Sequence, residues 1–116
     1  MGLKINVTEQ NDVVIIQLEG RIDSFTISDL ADSFKSIKEK GKKRLLLSMK
    51  ELDYINSEGI GKIISFGKWI KKIEGDLKIA DMQSRVRQVA DMIGMSNFME
   101  IYENSEEAIK SFDNRA

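Results

Sequence analysis

The segment RLLLSM, Arg44 to Met49, constrains the fold more than any other stretch. Its apolar residues are consecutive, so a strand built from it is apolar on both faces and suits the buried centre of a sheet. On either side of it the apolar residues recur at three- and four-residue spacing. Ile27, Leu30, Ala31, Phe34 and Ile37 make one helical stripe, and Ile60, Ile63, Ile64, Phe66, Trp69, Ile70 and Ile73 make another. A buried strand between two amphipathic helices is the repeating unit of a parallel sheet, whose crossovers are long enough to hold a helix.

The remaining elements follow the same logic. Leu3, Ile5 and Val7 alternate with polar residues, as in a half-buried strand, and VVIIQLEG (Val13 to Gly20) is a longer β-branched run. The EQND between them is turn chemistry, which predicts a hairpin. Thr26 followed by Asp29 predicts a helix start in which the threonine hydroxyl takes an orphan amide, and Gly41 predicts the stop. The second helix is expected to end near Gly75. LKIADM (Leu77 to Met82) reads as a strand, and a third helix carries Val86, Val89, Ala90 and Ile93 and closes at Gly94. FMEIY (Phe98 to Tyr102) is a last short strand, and SEEAIKSF (Ser105 to Phe112) a terminal helix with acids in its first turn. The order is β-β-α-β-α-β-α-β-α, an α/β protein with a mostly parallel sheet. No proline, repeat or low-complexity tract marks an internal boundary, so residues 1–116 are expected to form one domain.

Composition narrows the chemistry. There is no cysteine, hence no disulfide framework or thiolate site, and no histidine, the commonest general base and metal ligand. Acids and bases nearly balance, at a net charge of −1, which gives no strong pull toward nucleic acid or membrane. The basic run KEKGKKR, Lys38 to Arg44, reads as a solvated loop. Neither a membrane-length apolar stretch nor a signal-peptide core is evident, so a cytoplasmic protein is expected, one that uses no cofactor or metal.

The segment DYINSEGIGKII, residues 53–64, is the candidate site. A P-loop reading fails twice: Asn56 stands where the first glycine belongs, and Ile63 where the magnesium-binding hydroxyl belongs. A dinucleotide fingerprint fails because Ile64 replaces its third glycine. A hydrolase elbow would need glycine at Ile55 and a histidine somewhere in the chain. Two readings remain from the residues alone. Asn56 or Ser57 caps the following helix, or Gly59 and Gly61 keep the surface around Ser57 low so that another protein can approach closely. The second accounts for two glycines in one helical turn, each of which weakens a helix by up to ~1 kcal/mol.

At this point the chain resembles a known family, the STAS domain of bacterial anti-sigma factor antagonists. LEGRIDSFTISDL is similar to the family's entry into its first helix. LLLSMKELDYINSEGIGKII resembles the signature run of strand, aromatic-apolar pair, Asp-Ser-Ser/Thr-Gly-Leu-Gly and helix, and IYENSEEAIKSF resembles the closing helix. The resemblance spans nearly the whole chain. It implies a mixed sheet with helices mainly on one face.

It also implies a binding switch and no enzyme. In antagonist members the serine at the position of Ser57 is phosphorylated by a partner that is both anti-sigma factor and serine kinase, of histidine-kinase-like ATPase fold. The unmodified protein sequesters that partner and frees a sigma factor; a PP2C-type phosphatase resets the switch. Carried onto this sequence, Ser57 is the phosphoacceptor, and Asp23, Ser24, Asn56, Glu58, Gly59, Ile60 and Gly61 form the partner-binding face. The chain departs from the family pattern at Asn56 (usually Asp), Glu58 (usually Ser or Thr) and Ser48 (often Asp or Asn). Glu58 sets a fixed negative charge beside Ser57, which favours an alternative: a STAS module that binds its partner constitutively, without phosphorylation.

Overall fold

The computed structural model describes residues 2–113. The sheet has five strands: β1 (Leu3–Gln10), β2 (Val13–Ile22), β3 (Arg44–Ile55), β4 (Asp76–Ala80) and β5 (Ile101–Tyr102). They lie side by side in chain order. β1 is antiparallel to β2, and every later pair of neighbours is parallel. The hairpin turn is Asn11–Asp12, both at positive φ, the primed-turn geometry that suits the twist of the flanking strands.

Helices α1 (Ile27–Glu39), α2 (Ser57–Lys72) and α3 (Ser84–Ile93) each join neighbouring parallel strands. Every step crosses the sheet in the same direction, and right-handed crossovers stepping one way leave their helices on one face. There they share a core with Val14, Ile16, Leu18 and Ile22 of β2 and Leu45, Leu47, Met49, Leu52 and Ile55 of β3. Phe34 of α1 and Phe66 of α2 stack at 4.0 Å between centroids. The other face of the sheet presents Val13 and Ile15 of β2, Leu46 of β3 and Ala80 of β4, and α4 (Ser105–Asp113) covers them with Ala108, Ile109 and Phe112. The architecture is the expected one, a mixed, mostly parallel sheet with helices mainly on one face.

Several boundaries differ from expectation for physical reasons. β3 continues six residues past Met49 because it carries two irregularities. Gln17 pairs with Ser48 but Glu19 with Glu51, and Gly20 pairs with Leu52 but Arg21 with Tyr54. Each gains β3 one residue over β2, so its buried side chains shift from a two-residue to a three-residue period at Met49, Leu52 and Ile55. β4 stops at Ala80 because Asp81 turns to φ 66. The segment before β5 forms a 3₁₀ turn (Met95–Asn97), leaving only Ile101 and Tyr102 in the sheet. At α4 the cap is Asn104, whose side chain accepts the Glu107 N–H at 2.9 Å. Ser105 instead hydrogen-bonds Asp81, which also accepts from Ser48 at 2.9 Å, so the residue at position 48 helps tie α4 to the sheet.

Two cations complete that attachment. Arg44, expected in the solvated run, donates to the Phe112 carbonyl at 2.6 Å and lies over its ring. Lys78 is buried in β4, with its Nζ 2.7 Å from both Glu100 and Ser111 and 4.7 Å from the Phe112 centroid. Because Glu100 is 60 % exposed and Ser111 also bonds Ala108, neither is stranded when the ammonium is lost. Lys78→Met should therefore change stability by less than ~1.5 kcal/mol. Lys78→Ala leaves a void under Phe112 and should destabilise by ~2–4 kcal/mol, read from urea unfolding.

Candidate functional site

The site grows from the carboxyl ends of β2 and β3. Ile22 and Ile55 are register partners, and the Asn56 N–H donates to the Ile22 carbonyl at 3.1 Å. Beyond these residues the two chains part into the β2–α1 loop and the start of α2, which therefore emerge side by side.

At the start of α2 the cap is Asn56. It is extended at ψ 174, and its side-chain oxygen accepts the Gly59 N–H at 2.8 Å. Of the two capping candidates the structure thus selects Asn56. Ser57, the first helical residue, is exposed and is spared that task. Glu58 is also exposed, in the first turn, where a carboxylate favours the helix dipole.

The two glycines have different reasons to be glycine. Gly59 is buried, and a Cβ there would lie 2.6 Å from Ile22 Cγ2 and 2.8 Å from Ile55 Cγ1. It lets the first turn of α2 settle on the two strand ends. Gly61 is exposed and a Cβ would meet nothing within 4 Å, so it alone leaves open surface beside Ser57. Ile60 is fully buried. The expectation that it lies on an exposed partner-binding face is corrected, because the helix phase that exposes Ser57 and Gly61 turns Ile60 into the core.

In the neighbouring loop, Asp23 Oδ1 accepts the N–H groups of Phe25 (2.9 Å) and Thr26 (3.1 Å), and Oδ2 accepts from Arg21 Nε (2.9 Å). Thr26, 5 % exposed, makes no side-chain cap to α1. Its hydroxyl accepts the Asp23 N–H and donates to the Arg21 carbonyl, closing the loop on itself. Thr26 is the N-cap residue of α1, as expected, but the role expected of its hydroxyl is corrected: it bonds the preceding loop and not an orphan amide of the helix. Desolvation pulls the Asp23 carboxyl upward, but the Phe25 N–H, the Arg21 guanidinium and the Thr26 N–H outweigh it and hold the group below its ordinary value. Arg21 also sits over the Tyr54 ring at 4.8 Å, bridging the two strands just before the site. Ser24 is exposed, and next to it Phe25 is 89 % exposed. Phe25 falls outside the α1 stripe, and an aromatic one place before the helix cap is the signal the sequence carries for it.

A family profile described as the STAS domain matches residues 4–108, and the chain belongs to that family. It is 29 % identical over 115 residues to a protein of Paenibacillus polymyxa called anti-sigma F factor antagonist, with 97 % of each chain covered. Among solved structures it superposes on an anti-sigma factor antagonist from Mycobacterium paratuberculosis with a TM-score of 0.90 at 14 % identity, covering 97 % of this chain and 95 % of the other. It also superposes on the anti-sigma factor antagonist SpoIIAA in its unphosphorylated form, with a TM-score of 0.79 at 18 % identity, covering 97 % and 99 %. Among the described residues no helix is long and apolar enough to cross a membrane.

Three measurements check this geometry. Gly59→Ala should destabilise by ~1–3 kcal/mol through the clash with Ile22 and Ile55, whereas Gly61→Ala should be neutral or stabilising by up to ~1 kcal/mol, both from urea unfolding. Asn56→Ala should lose ~0.5–2 kcal/mol of stability as its cap disappears. Because the Asp23 pKa is lowered on folding, its hydrogen bonds are intact above the ordinary carboxylate range and are lost as pH falls through the depressed value. The Phe25 and Thr26 amide resonances should therefore shift together, at a pH below the ordinary aspartate value.

Proposed function

We propose that this chain is a cytoplasmic anti-sigma factor antagonist, a binding protein with no catalytic role, whose Ser57 accepts phosphate. The observation that carries the reading is the division of labour at the start of α2: Asn56 caps the helix, and the exposed Ser57 hydroxyl is left outside that bond. The names of its relatives support it. The partner is an anti-sigma factor with serine-kinase activity, of histidine-kinase-like ATPase fold, and a PP2C-type phosphatase reverses the modification. The docking face consists of Asp23, Ser24, Asn56, Ser57, Glu58 and Gly61, with Gly59 and Ile60 shaping it from beneath.

The physics of the switch is local. A phosphate adds about −1.5 to −2 charges at neutral pH. In the free protein it sits in water at a helix N-terminus, where amides and the dipole favour it. In a close interface it has to lose that water, at a cost of roughly several kcal/mol. Each ~1.4 kcal/mol is tenfold in affinity, so release needs no change of fold. Gly61 permits the approach that makes this cost felt. Glu58 favours a second reading, a STAS module that holds its partner constitutively, since its carboxylate lies next to Ser57 in sequence and opposes a phosphate there.

Incubation with ATP and an anti-sigma factor of histidine-kinase-like ATPase fold from the same organism should add one phosphate by mass to the wild type and none to Ser57→Ala. Phosphate on another residue, or none on the wild type, would contradict the switch. Ser57→Asp should weaken partner binding at least tenfold; unchanged binding would favour the constitutive module.

A further inference from the structure

We infer that Phe25 is the apolar anchor of the Ser57 face, the side chain that inserts into a pocket of the protein partner. The inference rests on the reading of Ser57 as a docking site and adds to it the residue that grips. A single exposed apolar side chain is ordinary on a protein surface. Phe25 differs in how it is held. Its own N–H is bound by Asp23, and the next residue, Thr26, is buried and bonded to Arg21 and Asp23. A tightly hydrogen-bonded loop thus presents a ring that is 89 % exposed. Little backbone freedom remains to be lost on binding, which is the condition under which a buried aromatic contributes most of its contact to affinity.

Its position decides what it grips. Phe25 lies three residues beyond Ile22, whose carbonyl is bonded to the N–H of Asn56, the neighbour of Ser57. A protein that closes over Ser57 meets this loop alongside. The occupant is therefore the protein that handles Ser57, through an apolar pocket wide enough for a phenyl ring and lying beside its phosphoryl-transfer centre. An anchor outside that centre serves binding and leaves the transfer step alone, so its loss should appear in KM and Kd rather than in kcat.

Met92 supplies an internal control. It is 86 % exposed, nearly as much as Phe25, but stands in the last turn of α3, which runs back from the edge that carries Ser57. The probe is the purified ATP-dependent kinase that modifies Ser57, titrated against wild type, Phe25→Ala, Phe25→Leu and Met92→Ala. Melting curves of all four should coincide, since neither side chain belongs to the core. Phe25→Ala should raise Kd and KM about ten- to hundred-fold with kcat within twofold of wild type. Phe25→Leu should fall between, and Met92→Ala should match wild type. Binding by Phe25→Ala within twofold of wild type overturns the anchor while leaving the Ser57 reading intact. An equal loss in Met92→Ala overturns it as well. A wild type that neither binds the kinase nor takes phosphate removes the Ser57 reading and the anchor with it.

Discussion

One backbone hydrogen bond, from the Asn56 N–H to the Ile22 carbonyl, fixes the spacing on which the site depends. It joins the carboxyl ends of two parallel strands that reach that point with different numbers of residues. β3 absorbs the difference in its two irregularities, and only then does Ile55 point into the core and Asn56 arrive where it can cap α2. A parallel sheet places the starts of its outgoing loops together at one edge, which is where open α/β sheets offer their binding surfaces. Here the loop from β2 and the helix from β3 leave that edge as neighbours.

The face so formed is held by packing on one side and by hydrogen bonds on the other. Gly59 lets α2 sit directly on Ile22 and Ile55, and the Asp23–Thr26 network ties the loop to Arg21 at the end of β2. Such bonding suits the proposed switch, in which a phosphate on Ser57 would alter the electrostatics of the surface without a change of its shape. On the opposite side of the sheet, α4 is fastened by Arg44, Lys78 and the Ser48–Asp81–Ser105 bonds, which involve none of the proposed docking residues.

Most of this architecture was legible in the sequence because the signals are strong. The consecutive Leu45, Leu46 and Leu47 require cover on both faces, and the helical stripes of α1 and α2 supply it on one of them. The STAS resemblance placed Ser57 at the start of a helix and Asp23 in the adjacent loop. What escaped were features set by tertiary contact. The far half of β3 loses its two-residue period at the irregularities, so Glu51 to Ile55 does not read as strand. Gly59 and Gly61 look alike in sequence, and only the positions of Ile22 and Ile55 separate packing from openness. Thr26 carries a helix-start pattern, but its hydroxyl is claimed by the loop before it. Ile60 is placed in the α2 stripe by its spacing and on the partner face by the resemblance, and its burial agrees with the spacing.

The central claim is that a protein partner docks where the β2–α1 loop meets the start of α2, and that phosphate on Ser57 dislodges it. Amide hydrogen exchange of the complex with the kinase tests both halves at once. The account predicts added protection at residues 23–26 and 56–62 in the unmodified complex, and its loss when Ser57 carries phosphate. Protection centred instead on the far end of α3, around Met92 to Phe98, or protection that survives phosphorylation, would contradict it.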